Sequence, residues 1–448
     1  MIKSTQEHID WYLSKFDLFE KSLNGESKSL IHTIRRDAIS RFADMGFPTT
    51  KNEEWRFTNV SQIIGKDFKP VHKFVAQDLS PSAIERFMLK GVDSHLLVFI
   101  NGIYSPKLSY VFPLEQGTKI GSLAEAIRDD SDKVNPNLAK VAPYNNDAFT
   151  ALSTAFMRDG AFIYVPKGIE IEMPIHLLYL STTNDGLSLS LPRNLIITGD
   201  NTRLSIIETY ASLNENEYFT NTVTEIVLGK NSILEHDKLQ IEHERSYHVS
   251  SAHIRQDAKS KYTSNSISFG GALTRNNISA LLNAEGCECT LNGLSLATGQ
   301  QHFDNHTTID HAKPNCVSHE LYKSIIDGKA RGVFNGKIFV RKDAQKTDAK
   351  QTNKTLLLSD EATIDTKPQL EIFADDVKCT HGAAVGQLDE EQIFYLQTRG
   401  IGLETARDLL TFAFAADVVQ RIQINQLREQ LHQMLNVRLQ KGRELLSD

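Results

Sequence analysis

The chain has 448 residues, a formal charge of −7 and four cysteines. No run of Lys or Arg dominates any segment, which argues against nucleic acid as a partner, and four cysteines do not make a disulfide framework. No apolar run approaches the ~18 residues that span a bilayer, so the reading is a soluble protein of a reducing cytoplasm with no membrane partner, long enough for two to four domains of about 150 residues each.

Residues 1–145 read as a mixed amino-terminal region. Its start, "MIKSTQEHIDWYLSKF", has no apolar core of a signal peptide, and Glu7, Asp10 and Asp17 argue against a transit peptide. Ile9, Leu13 and Phe16, then Leu30, Ile34, Ala38 and Phe42, recur at helical spacing and predict two amphipathic helices. "GFPTTKNEEWRFTNV" (46–60) breaks that period, and Trp55 and Phe57 are expected to form a small satellite core. "HLLVFINGIYSPKL" (95–108) reads as strand, Asn-Gly turn and strand. "DAFTALSTAFMRDG" (147–160) reads as a helix closed by Gly160.

Residues 146–387 change texture to short β-rich stretches punctuated by Gly, Asn and Asp. In "GIEIEMPI" (168–175), Ile169, Ile171 and Met173 alternate with Glu170 and Glu172, predicting a half-buried strand. "GDNTRL" (199–204) and "GKNSIL" (229–234) align at an offset of 229−199 = 30, with "GCECTL" (286–291) as a weaker third copy. Repeats of this length mark arrays whose units bury their apolar faces by stacking on neighbours. A mainly β solenoid fits best; a sandwich would need more frequent hairpin signals.

Candidate chemistry in this region thins out on inspection. "GVFNGKI" (332–338) is no phosphate loop: three residues, not four, separate Gly332 from Gly336, and Ile338 stands where Ser or Thr would hold magnesium. Any ATP chemistry must then come from a partner. Cys287 and Cys289 form C-x-C without a second cysteine pair to complete a zinc site, and are expected to be small core residues, as is the lone Cys316. His236, His243, His248, His253, His302, His306 and His311 crowd one stretch, but no spacing fixes three ligands, and outward-facing solenoid histidines would look the same. Cys379 and His381 in "ADDVKCTHGAAVG" (374–386) share one face if the segment is extended. They lie where the β-rich region ends, with small residues after them. The pair reads as soft metal ligands or as a plain strand end running into a glycine turn.

Residues 388–448 read as helical. Asp389 and Gln392 suggest a capping-box-like start, and Gly400 follows the last periodic residue. "LETARDLLTFAFAADVVQRI" carries Ala406, Leu410, Phe414 and Val418 on one stripe, and "NQLREQLHQMLNVRLQ" carries Leu427, Leu431, Leu435 and Leu439 on another. Such helices would cap a solenoid or dock another protein. A polysaccharide lyase or hydrolase on a solenoid is the competing function, weakened because such enzymes are usually exported.

"YKSIIDGKARGVFNGKIFV" (322–340), "DAKQTNKTLLLSDEATIDTKPQLEIFADDVKCTHGAAVG" (348–386) and "EEQIFYLQTRGI" (390–401) closely resemble the SufB/SufD family of iron–sulfur cluster assembly proteins. The late "KCTHGAAVG" is similar to the SufD branch; the SufB pattern has a Glu-His-Glu type sequence there, which this chain lacks. The resemblance implies a right-handed parallel β-helix flanked by helical segments. It implies a non-catalytic scaffold subunit paired with SufB and docked to the ATPase SufC, which holds the ATP, with a homodimer possible when isolated. It further implies that Cys379 and His381 meet transient iron or a nascent cluster at the SufB interface. No cofactor is then held stably by the chain alone, and SufC would dock on the carboxy-terminal helices through Ala406, Leu410, Phe414 and Val418.

Overall fold

A computed structural model of the chain describes residues 5–23, 29–71, 79–183 and 186–444; the extreme residues of the amino- and carboxy-terminal regions read above lie outside these. One corner of the winding backbone explains the architecture. Asn201, Asn231, Lys259, Gly286, Asn315 and Lys346 all have φ between +54° and +73°. Each stands two residues before a strand, at Arg203, Ile233, Lys261, Glu288, Val317 and Asp348. Left-handed backbone is uncommon outside glycine, and asparagine tolerates it best. Here it turns the chain into the next strand at the same place on each of these six passes.

Those strands stack in parallel, in the register Arg203↔Ile233↔Lys261↔Glu288↔Val317↔Asp348↔Lys378. Coil lengths run from 288−261 = 27 to 348−317 = 31 residues. Between them the chain crosses to strands such as Tyr247–Gln256, Leu273–Leu282, His302–His311, Arg331–Val340 and Thr363–Ile372, which pair in a second sheet. Among the described residues the two sheets hold eleven and ten strands. This is a parallel β-helix, as the 30-residue repeat predicts.

The repeat is correct at 199 and 229 and displaced at 286. Gly229 sits over Gly199 so closely that a Cβ would lie 2.4 Å from the Gly199 carbonyl oxygen. Gly286 instead fills the left-handed corner held by Asn231 one coil further back than its own predecessor, Lys259. The alignment of its glycine with Gly229 was therefore two residues out, a shift that preserves which side chains face inward because strands alternate with period two. Asn231 Nδ2 donates to Asn201 Oδ1 at 3.0 Å, so the corner residues also form a short ladder.

Other expectations need correction. "GIEIEMPI" has the expected in–out alternation but only Glu170 makes a bridge, to Arg203; the strand starts at Ile175. The helix Ala148–Ala155 stops before Gly160, which is glycine for another reason: a Cβ there would lie 2.0 Å from the Arg193 carbonyl oxygen. The hairpin His95–Ile100 and Ile103–Tyr104 forms as expected, and its first strand pairs with Ile175–Ser181, so sheet structure already begins before residue 145.

Helices cover both flanks. Thr5–Ser22, Leu30–Met45 and Ala148–Ala155 pack Phe19, Phe42 and Phe149 over Leu189, Phe219, Tyr247 and Leu273 of the eleven-stranded sheet. Trp55 joins this large core rather than a satellite, with the Arg275 guanidinium 3.7 Å from its ring centre, while Phe57 stays half-buried. On the opposite side Leu403–Val419 and Asn425–Glu444 lay Ala415, Val418, Leu431 and Leu435 against Ile207, Leu239, Leu294 and Leu321 of the ten-stranded sheet. They cover its side, not its end.

Candidate functional site

Because the helices lie along the flanks, the last coil is left bare. Thr363–Ile372 and Lys378–Gly386 are the terminal strands of their sheets, each paired on one edge with Arg331–Val340 or Asp348–Leu357. An unpaired strand edge presents a row of backbone donors and acceptors to any further strand. Ile372 (40% exposed), Phe373 (58%) and Val385 (47%) add apolar surface there.

Cys379 and His381 belong to this last strand, opposite Ala349 and Gln351 of the coil beneath. Ala349 and Gln351 are buried between the sheets, so positions 379 and 381 continue two inward-facing columns to the open end. Cys379 is half-buried beside Ile338, Val340, Ala344 and Ala374. Burial, and then the negative charge of Asp348, push its thiol above the ordinary cysteine range. His381 is exposed. Two side chains make an incomplete coordination sphere, and among the described residues no group of three or more His, Cys, Asp or Glu is placed to hold a metal ion.

The column under His381 is a feature that motif reading missed. Gln351 Nε2 donates to Glu320 Oε2 at 2.7 Å, and burial pushes the Glu320 carboxyl up to about 7. Gly336, on the facing sheet, makes room: a Cβ there would lie 2.2 Å from Gln351 Nε2. Further along the same interior, Lys238 Nζ donates to His248 Nε2 (3.0 Å), Ser250 Oγ (2.6 Å) and Asn276 Oδ1 (2.8 Å). The other nitrogen of His248 lies 2.7 Å from Glu242 Oε2, which assigns the proton to Nδ1. Burial pushes the Lys238 ammonium down to about 8. Burial alone would raise Glu208, but His236, 3.2 Å away, and Lys238 hold it below the usual carboxylate range. His236, His248 and His311 thus face inward, not outward, and each has its own partner, Glu208, Glu242 and Ser318 respectively, instead of converging on an ion.

The remaining sequence candidates are placed as follows. Cys287, Cys289 and Cys316 are all buried, and Cys316 stacks on Cys287 from the next coil, both thiols lying within hydrogen-bond distance of the Ala284 carbonyl oxygen, at 3.3 and 3.1 Å. Residues 332–338 lie inside the strand Arg331–Val340, where no phosphate-cradling turn exists. The stripe Ala406, Leu410, Phe414 and Val418 does not form a free surface. Ala406 and Val418 are fully buried, Phe414 packs on the β-helix, and Lys323 Nζ clamps the helix by donating to the Phe414 carbonyl at 3.0 Å. Leu410 lines a shallow recess with Tyr395 and Leu396. Among the described residues the exposed large apolar side chains of the carboxy-terminal helices are instead Phe394, Tyr395, Leu403, Leu409 and Val437.

These features define a β-helical protein with shielded flanks, one open end and a thiol–imidazole pair on its last strand. The chain belongs to the SufBD family of iron–sulfur cluster assembly proteins. Residues 179–414 match the SufBD core domain of the SUF cluster assembly system, and residues 3–177 match the SufBD amino-terminal region. An iron–sulfur cluster assembly SufBD family protein of Synechocystis is 32% identical over 424 residues, 93% of each chain. The iron–sulfur cluster assembly protein SufD of Escherichia coli is 33% identical over 399 residues, 89% of this chain and 90% of that one. SufB of Bacillus subtilis is 28% identical over 306 residues, 67% of this chain and 64% of that one. Among the described residues no helix is long and apolar enough to cross a membrane.

Proposed function

We propose that the chain is a non-catalytic scaffold subunit of a cytoplasmic SufBCD assembly. In this reading its open β-helix end pairs with SufB, the outer face of its carboxy-terminal helices docks SufC, and iron or a nascent cluster is the cargo at the SufB seam. The observation that carries it is the bare last coil: two strand edges with apolar side chains, beside helices that could have covered them and lie along the flank instead. Pairing with a second β-helix would continue both sheets and bring partner ligands to Cys379 and His381, which alone cannot complete a coordination sphere.

The chain's own residues then act by placement. The exposed imidazole of His381 is available first; the Cys379 thiol must lose its proton to bind, and burial opposes that loss until a cation arrives. ATP is bound by SufC, since no phosphate loop exists in this chain at 332–338. The docking role moves from Ala406 and Val418, which are buried, to Phe394, Tyr395, Leu403 and Leu409. Family membership leaves the glycan-cleaving alternative without an observation in its favour.

His381→Ala, co-expressed with SufB and SufC and purified anaerobically, should leave the complex intact and lower its iron and acid-labile sulfide severalfold; Cys379→Ala should be milder. Wild-type cluster content in the double variant would remove the ligand role.

A further inference from the structure

A second site lies on the outside of the eleven-stranded sheet, one coil below its terminal strand, where the segment after residue 48 is stapled to it. The staple is built of buried polar contacts: Thr58 Oγ1 donates to Asp304 Oδ2 at 2.5 Å and lies 2.8 Å from His302 Nε2, and Arg275 Nη1 donates to Asp304 at 2.6 Å. Beside it the segment and two coils enclose a cavity of about 240 Å³. Arg56, Lys329 and Arg331 converge on this cavity, and no carboxylate lines it. Half-buried Phe57 and buried Leu273 supply an apolar wall.

Three cations on one recess repel one another except where a counter-charge answers them, and the carboxylates that do so here, Asp365 and Glu361, lie outside its lining. Arg56 makes no side-chain hydrogen bond or ion pair among the described residues; its guanidinium only leans over Phe57, 5.7 Å from the ring centre. Arg331 spends Nε and Nη2 on Asp365, at 3.0 and 2.5 Å, which leaves Nη1 for another acceptor. Lys329 pairs with Glu361 at 3.1 Å, where both side chains are about two-thirds exposed, a pairing worth little and easily exchanged. Guanidinium groups suit phosphate in particular, because their planar fork matches two of its oxygens.

We propose that this cavity binds a phosphorylated small molecule, with Arg56, Lys329 and Arg331 holding the phosphate and Phe57 and Leu273 taking the rest of the ligand. The proposal does not rest on the cluster-ligand reading: the cavity lies on the outer face of the sheet and neither Cys379 nor His381 lines it, although Arg331 is paired with Asp365 of the terminal strand. It also gives a role to the charged, aromatic "KNEEWRF" stretch beyond packing: Trp55 anchors the segment inward while Arg56 and Phe57, next along the chain, face the cavity.

The test is calorimetric titration of the full chain with inorganic pyrophosphate and, separately, with uridine diphosphate at constant ionic strength. Saturable binding of both is expected. Arg56→Gln with Lys329→Gln should weaken both by at least roughly tenfold, because charge-assisted hydrogen bonds are lost. Both side chains are exposed, so the ligand-free melting temperature should not move. Phe57→Leu should weaken uridine diphosphate and leave pyrophosphate unchanged. No saturable pyrophosphate binding by the unaltered chain, or equal affinity in the double variant, would overturn the site; equal behaviour of the two ligands in Phe57→Leu would overturn the role of the apolar wall.

Discussion

The four cysteines differ first in what surrounds their sulfur atoms. Cys287, Cys289 and Cys316 are 0–1% exposed, whereas Cys379 is only half-buried at the open end. Its thiol is held above the ordinary range by burial and then by Asp348, so it is a poor nucleophile at neutral pH despite its access. Iodoacetamide on the native chain should therefore label Cys379 well ahead of the other three. The labelling rate should climb through a midpoint above the ~8.5 of a free thiol. Peptide mass spectrometry across a pH series reads both; Cys287 labelled as fast as Cys379, or a midpoint below that of a free thiol, would contradict the placement. The same sign applies to cargo: iron at Cys379 displaces a proton, so loading there should rise with pH. That Cys379 and His381 share a face was legible from their spacing alone. The half-burial of one and the exposure of the other were not, because both follow from where the last coil happens to stop.

At the scale of the strand, the interior columns carry an energetic cost that pH exposes. Burial pushes Glu320 up to about 7 from an ordinary 4.5, so the folded chain keeps a proton that the unfolded chain has lost between those values. Stability from this group is therefore present below about 4.5 and declines as pH rises toward 7. Glu320→Gln keeps an acceptor for Gln351 and removes the titration. Its stability relative to the unaltered chain should grow by up to about 3 kcal/mol between pH 5 and pH 8, on the basis of ~1.4 kcal/mol per unit. Urea unfolding at the two pH values measures it, and a pH-independent difference would sink the argument. This interior also explains what sequence pattern could and could not reveal. The corner residues at 201 and 231 recur visibly because left-handed backbone selects asparagine and glycine. His236, Lys238 and Gln240, by contrast, point inward while Leu239 lies under the carboxy-terminal helices. With both faces covered and the inner one polar, the apolar alternation that marks a one-sided strand is lost, and inward histidines become indistinguishable from surface ones.

For the whole molecule, shielded flanks and an open end separate two surfaces that deletion would confuse. Removing residues 388–448 would strip the helices from Ile207, Leu239, Leu294 and Leu321 and expose an apolar sheet face, so loss of any partner would then be uninformative. Point changes on exposed side chains avoid this. Of the eleven large apolar residues that are exposed among the described residues, seven fall between Ile372 and Leu409, and they divide into an end group (Ile372, Phe373, Val385) and a helix group (Phe394, Tyr395, Leu403, Leu409). A docking surface of this kind takes its energy from a few such side chains. Phe373→Lys with Val385→Lys places like charges on both strand edges. That pair should weaken association with SufB by at least roughly tenfold while SufC binding persists. Phe394→Asp with Leu409→Asp should do the reverse. Neither pair is buried, so both should melt within a few degrees of the unaltered chain. Pairwise pull-downs with melting curves on the same samples decide it. If the end variants retained SufB, the bare coil would be only an unfinished helix end; if the helix variants retained SufC, the outer helical face would have no claim on the ATPase. Crossed losses, each confined to one partner, are the pattern expected of a subunit whose fold keeps its cluster seam and its ATPase contact on different sides.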